Sequence, residues 1–339
     1  MKGVISNRIY LNCERGTDLE DKLIASLTYS IDRMPQSEYP EIIRHIQRVT
    51  DTVVSIPAGR LDLVPEGTKM NDKRAYVDAE IPEPSFELFP DQERCLNFFM
   101  TEATTGGLID CKPGWGKSIM GLALAHAMQM RTLIVTTTTV IRDMWEKEIK
   151  KFFGFDPGVI GAGKFINQEA PIVVGNIQTV KKMAQKLSSD FGVLIIDECH
   201  HCPATTFSDV LFTSRAAVKI GLSGTHIRKD GKHVLFKDFF GTKVFVGEDT
   251  NRMTPEVYSW ETNAELSGNQ LIPWALRVNK LFEQQEYYED IFFITACLET
   301  IGHKVLIVAD RVAFLEALHE PIPSSVMIAG DTNKTTEER

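Results

Sequence analysis

The stretch Cys111-Lys112-Pro113-Gly114-Trp115-Gly116-Lys117-Ser118 sets a lysine and a hydroxyl directly behind two glycines. That combination suits a polyphosphate. Glycines let backbone N–H groups turn onto an anion with no Cβ in the way. Gly106-Gly107-Leu108-Ile109-Asp110 before the loop predicts a short strand, and the Leu-, Ala- and Met-rich residues 119–130 after it predict a helix. The loop would then open a helix N-terminus, a ready anion site. Pro113, Gly114, Trp115, Gly116, Lys117 and Ser118 are therefore the nucleotide-binding candidates. Lys117 would reach the β- and γ-phosphates of ATP, and Ser118 would ligate Mg²⁺. The usual spacing G-x-x-x-x-G-K-[ST] has glycine where Cys111 stands. Taken by itself, the loop is also compatible with a glycine-rich turn carrying a chance lysine.

A second constellation supports the chemical reading. Ile196-Asp197-Glu198-Cys199-His200 follows an apolar run. Asp197, at the expected strand end, would hold Mg²⁺ through water, sharing the metal with Ser118. Glu198 would orient and deprotonate an attacking water as general base. With Lys117 they form the catalytic set. Cys199-His200-His201-Cys202 also has the look of zinc ligands, but neighbouring residues cannot all face one ion, and no second cysteine pair lies near. His200 is better read as a coupling group beside the nucleotide. Ser223 and Thr225, flanking Gly224, would bond across to the carboxylate loop and relay nucleotide state to a bound strand. Further upstream, the Gln92 amide could pair with the N6/N7 edge of adenine, with Phe89 stacking nearby. The run Thr136 to Thr139 would offer hydroxyls to phosphate oxygens, although plain β-branched strand residues would look the same.

These groups need a frame that gathers them. Residues 131–135, 172–174, 193–196 and 219–222 read as short apolar strands separated by helical stretches, one of them residues 140–153 with Trp145 on its apolar side. Alternation with near-continuous apolar strands predicts an α/β fold, a parallel sheet covered on both faces. Ligands bind at the carboxyl ends of such strands, and every candidate above falls at one. Residues 1–85 read as a separate α+β unit: a strand at 8–13, helices at 18–29 and 40–49, and a hairpin of strands 52–56 and 60–64. It is either an accessory fold or a DNA-docking unit using Arg60, Lys69, Lys73 and Arg74. Pro82 and Pro84 mark a linker. The expected domains are 1–85, 86–253 and 254–339.

The 339 residues carry 43% hydrophobic and 24% charged side chains, ordinary for a globular protein. A net charge of −9 excludes a protein that coats nucleic acid through its global field, so any such contact must be local. No apolar run reaches membrane-spanning length and the N-terminus lacks a signal core, so no membrane association and a cytoplasmic location are expected. Six scattered cysteines suit reduced thiols.

In this order the pieces resemble the superfamily 2 helicases and translocases, and most nearly the phage UvsW type, to which helicases of T5-like phages belong. Gln92 matches the adenine-reading glutamine, residues 111–118 motif I, Asp197-Glu198-Cys199-His200 a DECH-type motif II, and Ser223-Gly224-Thr225 motif III. Thr136-Thr137 sits at motif Ia, without its usual proline, and Gly175-Asn176-Ile177-Gln178-Thr179 looks like motif Ib. The resemblance implies RecA-like motor domains behind a small N-terminal domain, ATP and Mg²⁺ as cofactors, and forked, branched or single-stranded DNA as partner. It implies nucleic-acid contacts at Thr137, Thr138, Thr139, Asn176, Gln178, Thr179 and Arg228. It also implies work in replication, recombination and repair beside other phage proteins, in the host cytoplasm. Residues 304–308 and 326–329 resemble the first strands of a second RecA-like domain. Motifs V and VI do not follow, so the chain is expected to be C-terminally incomplete and inactive by itself for lack of an arginine finger. An RNA helicase, a restriction-type translocase, and a nucleotide-gated DNA-binding module remain as alternatives.

Overall fold

A computed structural model of the chain describes residues 1–31, 40–161, 164–201, 204–224, 231–248, 256–266, 273–322 and 324–328. Its contacts divide it into two units, Met1–Asn251 and Arg252–Arg339.

The first unit begins with β1 (Lys2–Ile5), β2 (Arg8–Asn12), α1 (Asp18–Ser26), β3 (Thr28–Ile31), β4 (Glu41–Arg44), β5 (Gln47–Thr50), β6 (Val53–Pro57) and β7 (Lys69–Asp72). Five of these strands form a sheet in the order β5-β6-β2-β1-β7, and β3 pairs with β4. Alternate residues Ile9, Leu11, Val54 and Ile56 bury against Leu23 and Leu27 from the α1 region.

Four local expectations fail here. The helix expected over 40–49 is instead β4 and β5. Ile42, Ile43, Ile46 and Val49 are β-branched, and β3 and β6 supply ladder partners that outweigh a helical spacing. For the same reason α1 stops at Ser26 and Thr28–Ile31 turns into strand. The second arm of the expected hairpin is a 3₁₀ turn, Leu61–Leu63. The Arg60 guanidinium closes it by donating to both carboxylate oxygens of Asp62, at 2.9 and 3.0 Å. Nor is the Pro82–Pro84 region a loose linker. Ala79 N–H donates to the Gln129 carbonyl, Ser85 N–H to Phe152, and Ile81 is buried between them.

The rest of the unit runs α2 (Pro90–Thr101), β8 (Gly106–Asp110), α3 (Lys117–Met128), β9 (Thr132–Thr136), α4 (Thr139–Phe153), β10 (Gly158–Gly161), β11 (Lys164–Ile166), β12 (Ile172–Asn176), α5 (Ile177–Met183), β13 (Val193–Ile196), α6 (Ala204–Thr213), β14 (Val218–Ser223), α7 (Phe236–Phe240) and β15 (Val244–Val246). Eight strands form one sheet in the order β11-β10-β12-β9-β13-β14-β8-β15. All of its pairs are parallel except β10 with β11. Successive side chains of β9 and β13 alternate between two apolar cores: Ile134, Val193 and Ile195 face α3 and Trp145, while Leu133, Val135, Leu194 and Ile196 face Ile177, Val180 and Phe207. This is the expected RecA-like α/β sandwich, and its register sets Ser223 beside Asp110 and Asn176 beside Thr136.

The second unit holds α8 (Trp274–Leu281), α9 (Gln285–Thr300) and α10 (Val312–His319). Its expected strands are not formed: residues 304–308 and 326–328 are irregular, with Leu306 and Val308 more than four-fifths exposed. A strand needs a neighbour to take its N–H and C=O groups, and none of this unit's described residues lies in one. Ala329 is outside the described residues.

Candidate functional site

Five parallel strands deliver their carboxyl ends to one edge, and the polar residues expected there come with them. Behind β8 the loop turns on Gly114 (φ +85°) and Gly116 (φ +94°), both left-handed, and α3 starts at Lys117. No atom lies within 4 Å of where a Gly114 Cβ would stand, so its backbone is open to a ligand. At Gly116 the left-handed backbone favours glycine, and a Cβ would also push on the Gln92 amide nitrogen, 2.5 Å away. Lys117 Nζ donates to the Cys111 carbonyl at 2.8 Å and to Lys112 at 3.3 Å, holding the amine over the loop. Cys111 is buried, and burial pushes its thiol up to about 12; it serves here as a small apolar residue.

Gln92 is buried and anchored at both ends. Its Oε1 accepts from Phe89 N–H at 3.0 Å, and its Nε2 donates to the Trp115 carbonyl at 2.9 Å. One N–H and one lone pair remain for a base edge. Phe89 is exposed, as a stacking face must be. Trp115 Nε1 donates to Asp91 Oδ2 at 2.7 Å, a contact the sequence reading missed.

Asp197 is buried at the end of β13. Its Oδ1 accepts from Glu198 N–H at 2.9 Å and its Oδ2 from Trp145 Nε1 at 2.7 Å. Both are neutral donors, and burial raises its pKa above the usual carboxylate range, with the Trp145 bond opposing. Glu198 adopts φ +45°, a left-handed turn that costs a non-glycine residue roughly 1–3 kcal/mol. Its Oε2 lies 3.3 Å from His200 Nδ1, and that nitrogen is 2.9 Å from Ser223 Oγ. His200 Nδ1 thus stands between the Glu198 carboxylate and Ser223, where the coupling role expected of it can be tested. Thr225 and Arg228 lie outside the described residues.

The residue set fits ATP with Mg²⁺. A hydroxyl and a buried carboxylate lacking a cationic hydrogen-bond partner are the hard oxygen donors Mg²⁺ takes. Burial raises the pKa of a further carboxylate, Glu148 on α4, which has Ser118 and Asp197 among its neighbours. Sequence reading missed it, though Glu148 lies three residues beyond Trp145, hence on the same helical face.

Along the same edge, Thr138 caps α4 by accepting from Ile141 N–H at 3.3 Å. Asn176 caps α5, accepting from Gln178 N–H at 3.1 Å, while its Nδ2 donates to the Thr137 carbonyl at 3.3 Å. The two threonine- and asparagine-bearing turns are therefore stitched together. Thr139 and Gln178 are exposed beside them, and Thr137 and Thr179 are half-buried. Thr138 and Asn176 spend their oxygens on the helix caps, so they shape this edge as much as they present it.

The family model "Type III restriction enzyme, res subunit" matches residues 85–228. The "Probable helicase D10" of Escherichia phage T5 is 43% identical over 325 residues, covering 95% of this chain and 71% of that protein. The "DNA 3'-5' translocase XPB2" of Sulfurisphaera tokodaii is 33% identical over 139 residues, 41% of this chain and 31% of that one. The crystal structure of the UvsW helicase from bacteriophage T4 superposes with a TM-score of 0.55 at 19% identity, covering 72% of this chain and 99% of that one, a likeness of fold.

Proposed function

Because the chain belongs to the superfamily 2 ATP-dependent helicases, related to the phage UvsW type, we propose that it is a DNA translocase that remodels forked or branched DNA in phage replication, recombination or repair. The observation that carries the reading is His200, its Nδ1 3.3 Å from the Glu198 carboxylate and 2.9 Å from Ser223 Oγ, across neighbouring strand ends. In this reading it joins the water-activating carboxylate to the end of β14, on the same sheet edge that carries the motif Ia and Ib turns.

In this reading the glycine turns present backbone N–H groups to the phosphates, and Lys117 exchanges its loop carbonyls for phosphate oxygens. Ser118 and Asp197 hold Mg²⁺, which when bound neutralises charge on the β- and γ-phosphates. Glu198 takes a proton from the attacking water. Its carboxylate then changes charge next to His200, and the imidazole passes that change to Ser223 by re-pairing. Thr137, Thr139, Gln178 and Thr179 contact the DNA backbone, with Thr138 and Asn176 fixing the turns that carry them. Phosphate contacts carry no sequence information, so binding is sequence-independent and weakens with salt. Other phage replication and recombination proteins are the expected partners, in the host cytoplasm; no helix among the described residues is long and apolar enough to cross a membrane.

The restriction-subunit family match favours one second reading, a translocase that runs on plain duplex without junction preference. ATPase stimulation by forks, four-way junctions, linear duplex and RNA separates the two. Preferential stimulation and strand rearrangement on branched DNA is the expected result. Equal stimulation by linear duplex supports the second reading, and stimulation by RNA overturns both.

A further inference from the structure

The N-terminal sheet buries one face in its own core, through Ile5, Ile9 and Leu11. Alternation puts Val4 and Tyr10 on the other face, where they stand in register, and Ser6 sits in the turn between β1 and β2. These residues line a cavity of about 410 Å³. Its far wall comes from the motor domain, from Ser188 ahead of β13 and from Thr213 and Arg215 ahead of β14. Lys73, directly after β7, also lines it. Two hydrogen bonds cross the seam: Arg215 Nε donates to Ser6 Oγ at 2.8 Å, and Asn7 Nδ2 to the Phe212 carbonyl at 2.7 Å. Ser6 is buried, so its bond fixes the guanidinium, whose Nη2 makes no hydrogen bond among the described residues.

The charge of this cavity is one-sided. The chain has 46 acidic and 37 basic side chains, yet two cations and no carboxylate line it. Neither Lys73 nor Arg215 forms an ion pair among the described residues. Arg60 and Arg74, two other cations of the N-terminal segment, are spent on Asp62, Asp238 and Asp72. A guanidinium with a free edge suits two oxygens of one phosphate, and an ammonium adds a compact charge beside it. The hydroxyls of Ser6, Tyr10, Ser188 and Thr213 add donors around them.

We propose that this cavity is a second anion site, which takes a phosphate group between Lys73 and Arg215. It lies at the amino edge of the parallel sheet, whereas the glycine loop lies at the carboxyl edge, so it stands apart from the nucleotide reading. A free phosphate and a phosphate of the DNA backbone present the same oxygens. Either one, bound here, ties the N-terminal segment to the motor domain.

The test uses the whole protein, wild type beside Lys73→Gln, Arg215→Gln and Lys69→Gln. Lys69, exposed on β7, does not line the cavity and is the control. Lys73 is exposed too, so Lys73→Gln keeps the fold even where Arg215→Gln loosens the Ser6 contact. Thermal unfolding is followed in inorganic phosphate and in chloride of matched ionic strength. Phosphate in the cavity is expected to raise Tm by about 3–6 °C at about ten times its Kd, a rise that the two cavity variants lose. Phosphate on the glycine loop acts alike in all four proteins and cancels in the comparison. Fork DNA affinity, measured across salt concentrations, then identifies the source. For a backbone phosphate, the slope of log K against log salt becomes shallower by about 1 in each cavity variant. For a free phosphate, that slope holds and only the thermal difference appears. A Tm response and a salt slope in Lys73→Gln that both match wild type overturn the proposal. So does an equal change in Lys69→Gln.

Discussion

Two buried aspartates in the first unit have opposite surroundings. Asp238, on α7, is enclosed by the N-terminal segment. Its Oδ1 accepts from Tyr29 Oη at 2.9 Å and from the Arg60 guanidinium at 3.0 Å, and its Oδ2 lies 2.7 Å from His45 Nδ1. Gly59 packs so closely there that a Cβ would stand 2.6 Å from the Lys237 carbonyl. Asp197, at the end of β13, accepts hydrogen bonds, among the described residues, from an indole and a backbone N–H, and the Lys117 charge acts on it through space. A carboxylate that meets a cation inside the fold is a fastener, and its removal strands a buried charge. A carboxylate given only neutral donors stays electrostatically unfinished and suits a cation brought by a ligand. The first arrangement secures the N-terminal segment to the motor domain, and the second prepares the nucleotide edge.

That contrast can be broken most forcefully at the nucleotide edge. Glu198→Gln should lower ATP turnover by roughly 10²–10⁴, because an amide cannot take the water's proton, while analogue binding and stability stay unchanged. A rate within a few-fold of wild type, in steady-state assays with DNA, removes Glu198 from the role of base. At the fastener, Asp238→Ala should cost about 3–5 kcal/mol of stability by stranding the buried Tyr29 hydroxyl and His45 and leaving Arg60 with Asp62 as its remaining carboxylate partner. Urea unfolding measures the loss, and nucleotide affinity of the folded protein should hold. A variant that unfolds like wild type but binds nucleotide poorly reverses the assignment of the two aspartates.

Lys219 supplies a third case, a buried cation whose Nζ donates to the Leu211 carbonyl at 2.7 Å. Burial, with Arg74 and Arg8 adding repulsion, lowers its pKa from 10.5 to about 7. The unfolded chain keeps this proton up to its ordinary value, whereas the folded chain loses it near neutrality. Between those values the unfolded state binds more protons, so stability rises with pH. From pH 7 to pH 9 the gain should be about 2 kcal/mol, and Lys219→Met should abolish that part of the slope. Equal slopes in denaturation of the two proteins contradict it. The smallest effect is expected from Asp197→Asn: stability unchanged or raised by about 1 kcal/mol, since no buried cation is stranded. A loss as large as that of Asp238→Ala dissolves the contrast.

The gathering of the candidate nucleotide residues at one sheet edge was legible in the sequence because its signals are local. Glycines at 114 and 116, a lysine and a hydroxyl behind them, and Asp-Glu after an apolar run mark strand ends and a helix start through spacing along the chain. The parallel sheet was legible for a similar reason, since strands buried on both faces must be apolar throughout. What the tertiary structure decided was every choice between near-equal local options. Residues 41–50 became strands because β3 and β6 offered partners, and the expected strand at 304–308 did not form without one. It also decided which polar groups meet across long separations: Trp145 with Asp197, and Asp238 with Tyr29, His45 and Arg60. Hydrophobic period and turn chemistry act over a few residues and survive in the sequence. The pairing of one buried charge with another depends on how whole elements pack, and no spacing along the chain records it.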